Sequence, residues 1–284
     1  MTVKQANRTG NIKGLINSYF PSLTKSEQKV ADIVLNQLEK VIYYSVTDLA
    51  DAAEVGETTV LRFCRKIGLK GYQEFKLTIA KDLANGLGEE TGQGVKAGLI
   101  PTISTDMINA IQETVSMNSE EAIEKAIEMI DTAASVHFIG VGTSGLTALD
   151  AKNRFLRIGR RVDAVIDPHL QAMTAATLTK DDVIVGISVS GSTKDTIDTL
   201  KIAKENGAKT IAVTYYARSP ITKLADAVLI NGGKESPLEG SSLAAKISQL
   251  FVIDLLCTGL ALKHKNSSIE MKEKTAQAVV NKIY

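Results

Sequence analysis

One stretch constrains this chain more than any other: Asp181 to Thr196, DDVIVGISVSGSTKDT. Val183 to Val189 is apolar and β-branched, the composition of a buried strand. Ser188-Val189-Ser190-Gly191-Ser192-Thr193 then forms a hydroxyl-rich turn, and an amphipathic segment follows from Asp195 to Asn206. Strand, tight turn and helix together aim backbone N–H groups, hydroxyls and a helix N-terminus at one point. That geometry suits a phosphate.

The surrounding pattern places the stretch inside an α/β domain. Strands are expected at 136–141, 162–166, 183–189, 210–215 and 227–230. Helices are expected between them at about 145–158, 169–178, 194–206 and 220–225, with a long helix at 242–262 closing the core. Such alternation implies a parallel sheet covered on both faces. Five strands fit the flavodoxin-like order 2-1-3-4-5, whose switch point lies between the first and third strands. The two most unusual loops fall there: Gly140-Val141-Gly142-Thr143-Ser144-Gly145, and Ser188 to Thr193. The first also satisfies GxGxxG, with Asp163 and Asp167 near the acidic position of a dinucleotide site. A small phosphorylated ligand and a dinucleotide are therefore both open on pattern, as are purely structural turns.

The first 80 residues have another character. Thr24 and Glu27 have capping-box spacing for a helix reaching about Leu38. Val46–Ala53 reads as a short helix with Thr47 as its cap, Glu54-Val55-Gly56 as a break, and Glu57–Gly68 as a second helix. Leu49, Ala53, Val55, Val60 and Phe63 form an inward set, which makes a helix-turn-helix. Its second helix would enter the major groove. Between Thr59 and Lys81 stand Arg62, Arg65, Lys66, Lys70, Lys76 and Lys81 against the single acid Glu74. That local charge suits phosphates, although the whole chain carries a net charge of only +1. Thr58, Thr59 and Arg62 are placed to meet bases or phosphates.

SVTDLADAAEVGETTVLRFCRKIGLKGYQEFK resembles the DNA-binding domain of RpiR/MurR-type bacterial transcriptional regulators. The resemblance implies a double-stranded operator as partner, a homodimer or homotetramer, and DNA contacts from Glu57, Thr58, Thr59, Arg62, Arg65, Lys66, Lys70 and Tyr72. Two positions depart from the family pattern: Glu54 where Gly is common, and Gly56 where Ser is common. GVGTSG followed by SVSGSTKDT is similar to the SIS (sugar isomerase) fold over about residues 107–265. This implies a phosphosugar effector and no cofactor or metal. Ser188, Ser190, Gly191, Ser192 and Thr193 would hold the phosphate, and Gly142, Thr143 and Ser144 would approach the sugar. Glu235 would bind a sugar hydroxyl, with Glu239 and His169 as further acid–base candidates and Tyr215-Tyr216 as a pocket wall.

The expected division is a helix-turn-helix domain at 1–83, a linker at 84–104 around its glycines, and the α/β domain at 105–284. A helix at about 105–116 would connect them or pack a dimer. Cys64 and Cys257 read as buried thiols, and His137, His169 and His264 lack metal-ligand spacing. No apolar run approaches a membrane span and MTVKQANRTGNIKG lacks a signal-peptide core, so a cytoplasmic protein is expected. A non-enzymatic regulator is the reading favoured; a sugar-phosphate isomerase with an appended nucleic-acid domain and a dinucleotide-responsive repressor are its rivals.

Overall fold

The computed structural model describes residues 12–86, 98–235, 237–238 and 242–282. The chain divides into two compact units, one of residues 1–102 with 235–240 and one of 103–234 with 241–284. The glycine-rich stretch 87–97 and Glu239 lie outside the described residues.

The first unit is helical: α1 (Ile12–Tyr19), α2 (Lys25–Asn36), α3 (Leu38–Val41), α4 (Val46–Ala52), α5 (Glu57–Lys66) and α6 (Tyr72–Gly86). Its core holds Ile12, Ile16, Val30, Val34, Leu49, Val60, Phe63, Phe75 and Ile79. Thr24 and Glu27 form the expected capping box. For α4 the cap is Ser45 rather than Thr47: Ser45 and Asp48 bond reciprocally, and Thr47 lies inside the helix with its hydroxyl on Glu57. A hydroxyl at 45 reaches the backbone N–H three residues on, and one at 47 has already entered the first turn.

The second unit carries α7 (Leu99–Met117) and α8 (Glu120–Thr132), capped by Ser119. Then follow β1 (Val136–Gly140), α9 (Thr143–Arg157), β2 (Asp163–Val165), α10 (Pro168–Thr177), β3 (Val183–Ile187) and α11 (Lys194–Glu205). The sheet closes with β4 (Lys209–Thr214) and β5 (Ala227–Ile230), before α12 (Leu243–Lys263) and α13 (Lys265–Gln277). The five strands are parallel in the order β2-β1-β3-β4-β5, as expected. One face of the sheet buries Phe138, Phe155, Val185, Val213, Val252 and Leu256; the other buries Ile139, Ile184, Leu200 and Ala212.

Two element expectations are corrected. The segment 220–225 is a 3-10 turn at Ile221–Lys223, too short for an α-helix. α7 begins at Leu99, six residues before its expected start; Pro101 falls in the first turn, where no intrahelical N–H is needed. Both ends of the expected linker 84–104 are therefore helical, in α6 and α7. α12 is long and apolar enough to cross a membrane by length and composition; 44% of that stretch is buried, with Val252, Ile253, Leu256 and Leu260 packed in the sheet core.

Candidate DNA-reading helix and switch-point pocket

α4, the break Ala53–Gly56 and α5 form the helix-turn-helix. Glu54 stands in the left-handed region at φ 52°, a conformation that glycine adopts without strain. Gly56 caps α5 with extended backbone and no side-chain bond. Among the eight expected DNA contacts, Thr58, Arg62, Arg65 and Lys70 are exposed. The other four are engaged within the unit. Glu57 accepts the Thr47 hydroxyl, tying α5 to α4. Thr59 is buried, with its hydroxyl 3.3 Å from an Arg62 guanidinium nitrogen. Tyr72 is buried, and its hydroxyl donates to the Tyr44 and Ser45 carbonyls. Lys66 reaches 3.0 Å to the buried Glu27 carboxylate. Burial pushes the Glu27 carboxyl up, but the Thr24 N–H and Lys66 outweigh it and hold it below the usual range. Glu57, Thr59 and Lys66 bond within the unit because α5 packs on α2 and α4 through the turns that carry the motif, and Tyr72, at the start of α6, bonds the backbone that leads into α4.

In the second unit, Gly140 pairs with Ile187 at the carboxyl ends of β1 and β3. Both loops therefore leave adjacent strands at one level. The first turns sharply into α9. A Cβ at Gly140 would lie 2.7 Å from the Ser144 carbonyl carbon, and Gly142, the N-cap of α9, adopts φ 62°. Ser144 is buried and accepts from Gln249 Nε2 at 3.3 Å, while Gln249 Oε1 takes the Thr147 hydroxyl at 2.9 Å. Lys246 donates to the Thr143 carbonyl at 2.9 Å and to Thr147 Oγ1 at 2.6 Å. Burial pulls its ammonium below the usual lysine range, against the attraction of Asp150.

The second loop is held by its own hydroxyls. Ser188 Oγ lies 2.9 Å from Thr193 Oγ1, and Ser190 Oγ accepts from the Ser192 N–H at 3.2 Å. Thr193 is the N-cap of α11 but makes no side-chain cap bond, so its hydroxyl faces Ser188 rather than the helix. Gly191 stands at φ 58°, and a Cβ there would fall 2.2 Å from Ser219 Oγ. The arrangement presents hydroxyls and a helix N-terminus without an intramolecular cap.

The structure thus brings Gly142, Thr143, Ser144, Ser188, Ser190, Gly191, Ser192 and Thr193 to one end of the sheet. His169 is exposed near the start of α10. Glu235, half-buried, falls in the first unit rather than in the one that carries the loops. Tyr215 donates to Glu113 Oε1 at 3.3 Å; burial and that carboxylate push its phenol up to about 12. Gln249 and Lys246 were not foreseen. In the sequence they are two of several polar residues in a mostly apolar helix, which also carries Ser248, Asp254 and Thr258.

Comparison with known proteins identifies both parts. The model of the rpiR-family helix-turn-helix domain matches residues 10–86, and that of the SIS domain matches residues 129–259. An uncharacterized HTH-type transcriptional regulator of Haemophilus influenzae is 39% identical over 96% of this chain and 98% of its own. YbbH of Bacillus subtilis, another such regulator, is 33% identical over 95% and 97%. The bifunctional protein glk of Burkholderia thailandensis is 33% identical, but the match spans 43% of that longer protein. Among solved structures, Vibrio vulnificus NanR complexed with ManNAc-6P superposes with a TM-score of 0.87 at 26% identity, over 96% of this chain and all of that one. The sugar isomerase domain of an RpiR transcription factor from Sphaerobacter thermophilus gives 0.58 at 27% identity, over 63% of this chain and 98% of that domain. The chain belongs to the RpiR family of HTH-type transcriptional regulators, with a helix-turn-helix domain followed by a SIS domain.

Proposed function

We propose that this regulator binds operator DNA as a dimer and changes its affinity when a phosphosugar enters the pocket between the two loops. The observation that carries this is the second loop: three hydroxyls and the side-chain-uncapped N-terminus of α11 converge beside Gly142–Ser144. Negative charge is stabilised at such a helix end. The NanR likeness supports an amino-sugar phosphate as the first ligand to try. Residues 1–83 would read DNA, 84–104 join, and 105–284 sense. Thr58, Arg62, Arg65 and Lys70 would face the duplex. Ser188, Ser190, Gly191, Ser192 and Thr193 would hold the phosphate, with Gly142, Thr143 and Ser144 beside the sugar.

We read the site as a sensor rather than a site of turnover. Lys246, the titratable side chain bonded at the first loop, is held by the Thr143 carbonyl and the Thr147 hydroxyl, an arrangement that suits fixing an anion in place. An effector shifts DNA affinity only through different affinity for two arrangements of the protein.

The test is a thermal-shift panel of ManNAc-6P, other hexose and pentose phosphates, and NAD(H), followed by two variants. Ser190→Ala should abolish the phosphosugar shift and leave operator binding intact. Arg62→Ala should weaken operator binding about tenfold and lower the salt slope by about 1, with the shift unchanged. Stabilisation by NAD(H) alone, or turnover of any phosphosugar, would overturn the reading.

A further inference from the structure

α7 lies outside both matched family models: the helix-turn-helix model ends at residue 86 and the SIS model begins at residue 129. The division between the two units falls inside this helix, after Thr102. Its C-terminal half packs on the end of the edge strand β5. Asn118 Nδ2 donates to the Ile230 carbonyl at 2.7 Å, and Asn118 Oδ1 accepts from the Ile230 N–H at 2.8 Å. Thr114 Oγ1 accepts from the Gly232 N–H at 2.8 Å, and Glu113 Oε2 from the Gly233 N–H at 3.0 Å. A Cβ at Gly232 would fall 2.1 Å from the Ala110 carbonyl oxygen, so the approach is close. Side chains of α7 thus satisfy backbone groups that a sheet edge leaves unpaired.

Edge pairing accounts for Asn118 and Thr114. It does not account for all of Glu113, whose other oxygen, Oε1, accepts the Tyr215 phenol at 3.3 Å. Tyr215 directly follows β4, the next strand inward from β5. The Tyr215 N–H donates in turn to the Val189 carbonyl at 3.1 Å, and Thr214 Oγ1 reaches the same oxygen at 3.2 Å. Val189 stands between Ser188 and Ser190, in the middle of the second loop. A chain of bonds therefore runs from that loop, through both ends of Tyr215, to a carboxylate on α7.

A phosphate cannot enter the loop without disturbing it. Of the Ser188 and Thr193 hydroxyls, one spends its proton on the other, and the Ser192 N–H is spent on Ser190 Oγ. An anion claims both donors, because hydrogen bonds to a charged acceptor are the stronger ones. Releasing them shifts the residues about Val189, and Val189 is bonded to Thr214 and Tyr215. Coupling between sites needs a physical link with two discrete arrangements. The loop's self-bonded and anion-bonded sets supply the arrangements, and Tyr215 with Glu113 supplies the link.

We propose that Glu113 is a positioning residue of the effector site: acting through Tyr215, it makes α7 answer to phosphate in the second loop. The proposal rests on the reading that this loop holds the effector's phosphate. The first turn of α7, Leu99–Thr102, is counted with the DNA-reading unit. A response of α7 therefore reaches the point in the chain where the two units divide.

The experiment is hydrogen exchange followed by mass spectrometry on the full chain, with inorganic phosphate at saturation as the probe. In the parent, phosphate should slow exchange about threefold or more both in peptides covering 188–196 and in those covering 107–117. Glu113→Ala should keep the first effect and lose the second. Tyr215→Phe retains the ring and the backbone bond to Val189; it should also lose the second effect, and it guards against a folding defect in the alanine variant. A Glu113 that only braces the edge of β5 would change α7 exchange equally with and without phosphate. The phosphate effect on α7 would then survive both variants, and that result overturns the proposal. So does a parent in which the loop responds and α7 does not, or a Glu113→Ala variant whose loop no longer responds. No slowing at 188–196 in the parent overturns the phosphate reading of the loop, and this proposal with it.

Discussion

The helix-turn-helix and the two switch-point loops use their motif residues in opposite ways. In the first unit the motif lies on helices, and half of the expected contact residues are turned inward: Glu57 on Thr47, Thr59 buried, Lys66 on Glu27, Tyr72 on the backbone at 44–45. In the second unit the motif lies on two tight turns and the first turn of α9, and every one of its expected residues apart from Glu235 stands at the carboxyl end of the sheet. The difference is physical. A helix gives each side chain one of several directions, only some of which face outward. A tight loop is specified by its backbone: a Cβ would collide at Gly140 and Gly191, and Gly142 and Gly191 adopt a positive φ that side chains rarely take.

The sharpest way to break this contrast is Gly191→Ala. Its Cβ would meet Ser219 Oγ at 2.2 Å in a left-handed backbone, so we expect destabilisation of about 2–4 kcal/mol or more and loss of phosphosugar binding. Thermal unfolding and calorimetric titration would check it, with operator binding by the folded fraction retained. An unperturbed variant would mean that the loop is not fixed by its backbone.

Lys66→Met tests the claim on the helical side. Removing Lys66 leaves the buried Glu27 carboxylate with the Thr24 N–H but no cation, a cost of about 2 kcal/mol once the partly open Lys66 end is allowed for. Chemical denaturation should show that loss, while the salt slope of DNA binding stays as in the parent. A slope lower by about one would mean that Lys66 neutralises a phosphate after all.

Glu54→Gly sharpens the comparison in the other direction, since it puts a glycine where the helical unit has a left-handed backbone without one. The exposed Lys29–Glu54 pair is worth little, and the relief of strain should raise stability by about 0.5–1 kcal/mol. A denaturation midpoint that falls instead would show Lys29 to matter more than the backbone.

The smallest effect expected is on pH dependence. Burial holds the His137 imidazole below the ordinary value of 6.5, against the pull of Asp163 and Asp182. The unfolded chain therefore binds the proton first, so stability falls as the pH drops below about 6.5 and keeps falling down to the depressed folded value. His137→Asn should flatten that slope in the α/β unit and leave the helical unit unchanged. A slope identical in parent and variant would place the titration elsewhere.

Much of this was legible in the sequence. The strand order follows from five apolar runs with helical connections, and α2, α5 and α8 stand within two residues of their expected ends. Glu54 stood out in the sequence only as a departure from the family's usual Gly; the left-handed backbone there came from the structure. Less legible were the residues that reach a site from elsewhere in the chain. Gln249 and Lys246 arrive at Ser144, Thr143 and Thr147 from about a hundred residues away, and no local pattern encodes that meeting.

What the sequence alone determined is what depends on neighbours along the chain: periodicity, capping boxes, glycines at tight turns, and the two hydroxyl-rich loops. What the tertiary structure decided is direction. It turned Thr193 toward Ser188 rather than toward its own helix, took Tyr72 and Lys66 into the fold, and left the leucines of α9 facing outward. Those outcomes depend on which helix face the packing claims, and packing is settled only when distant segments meet.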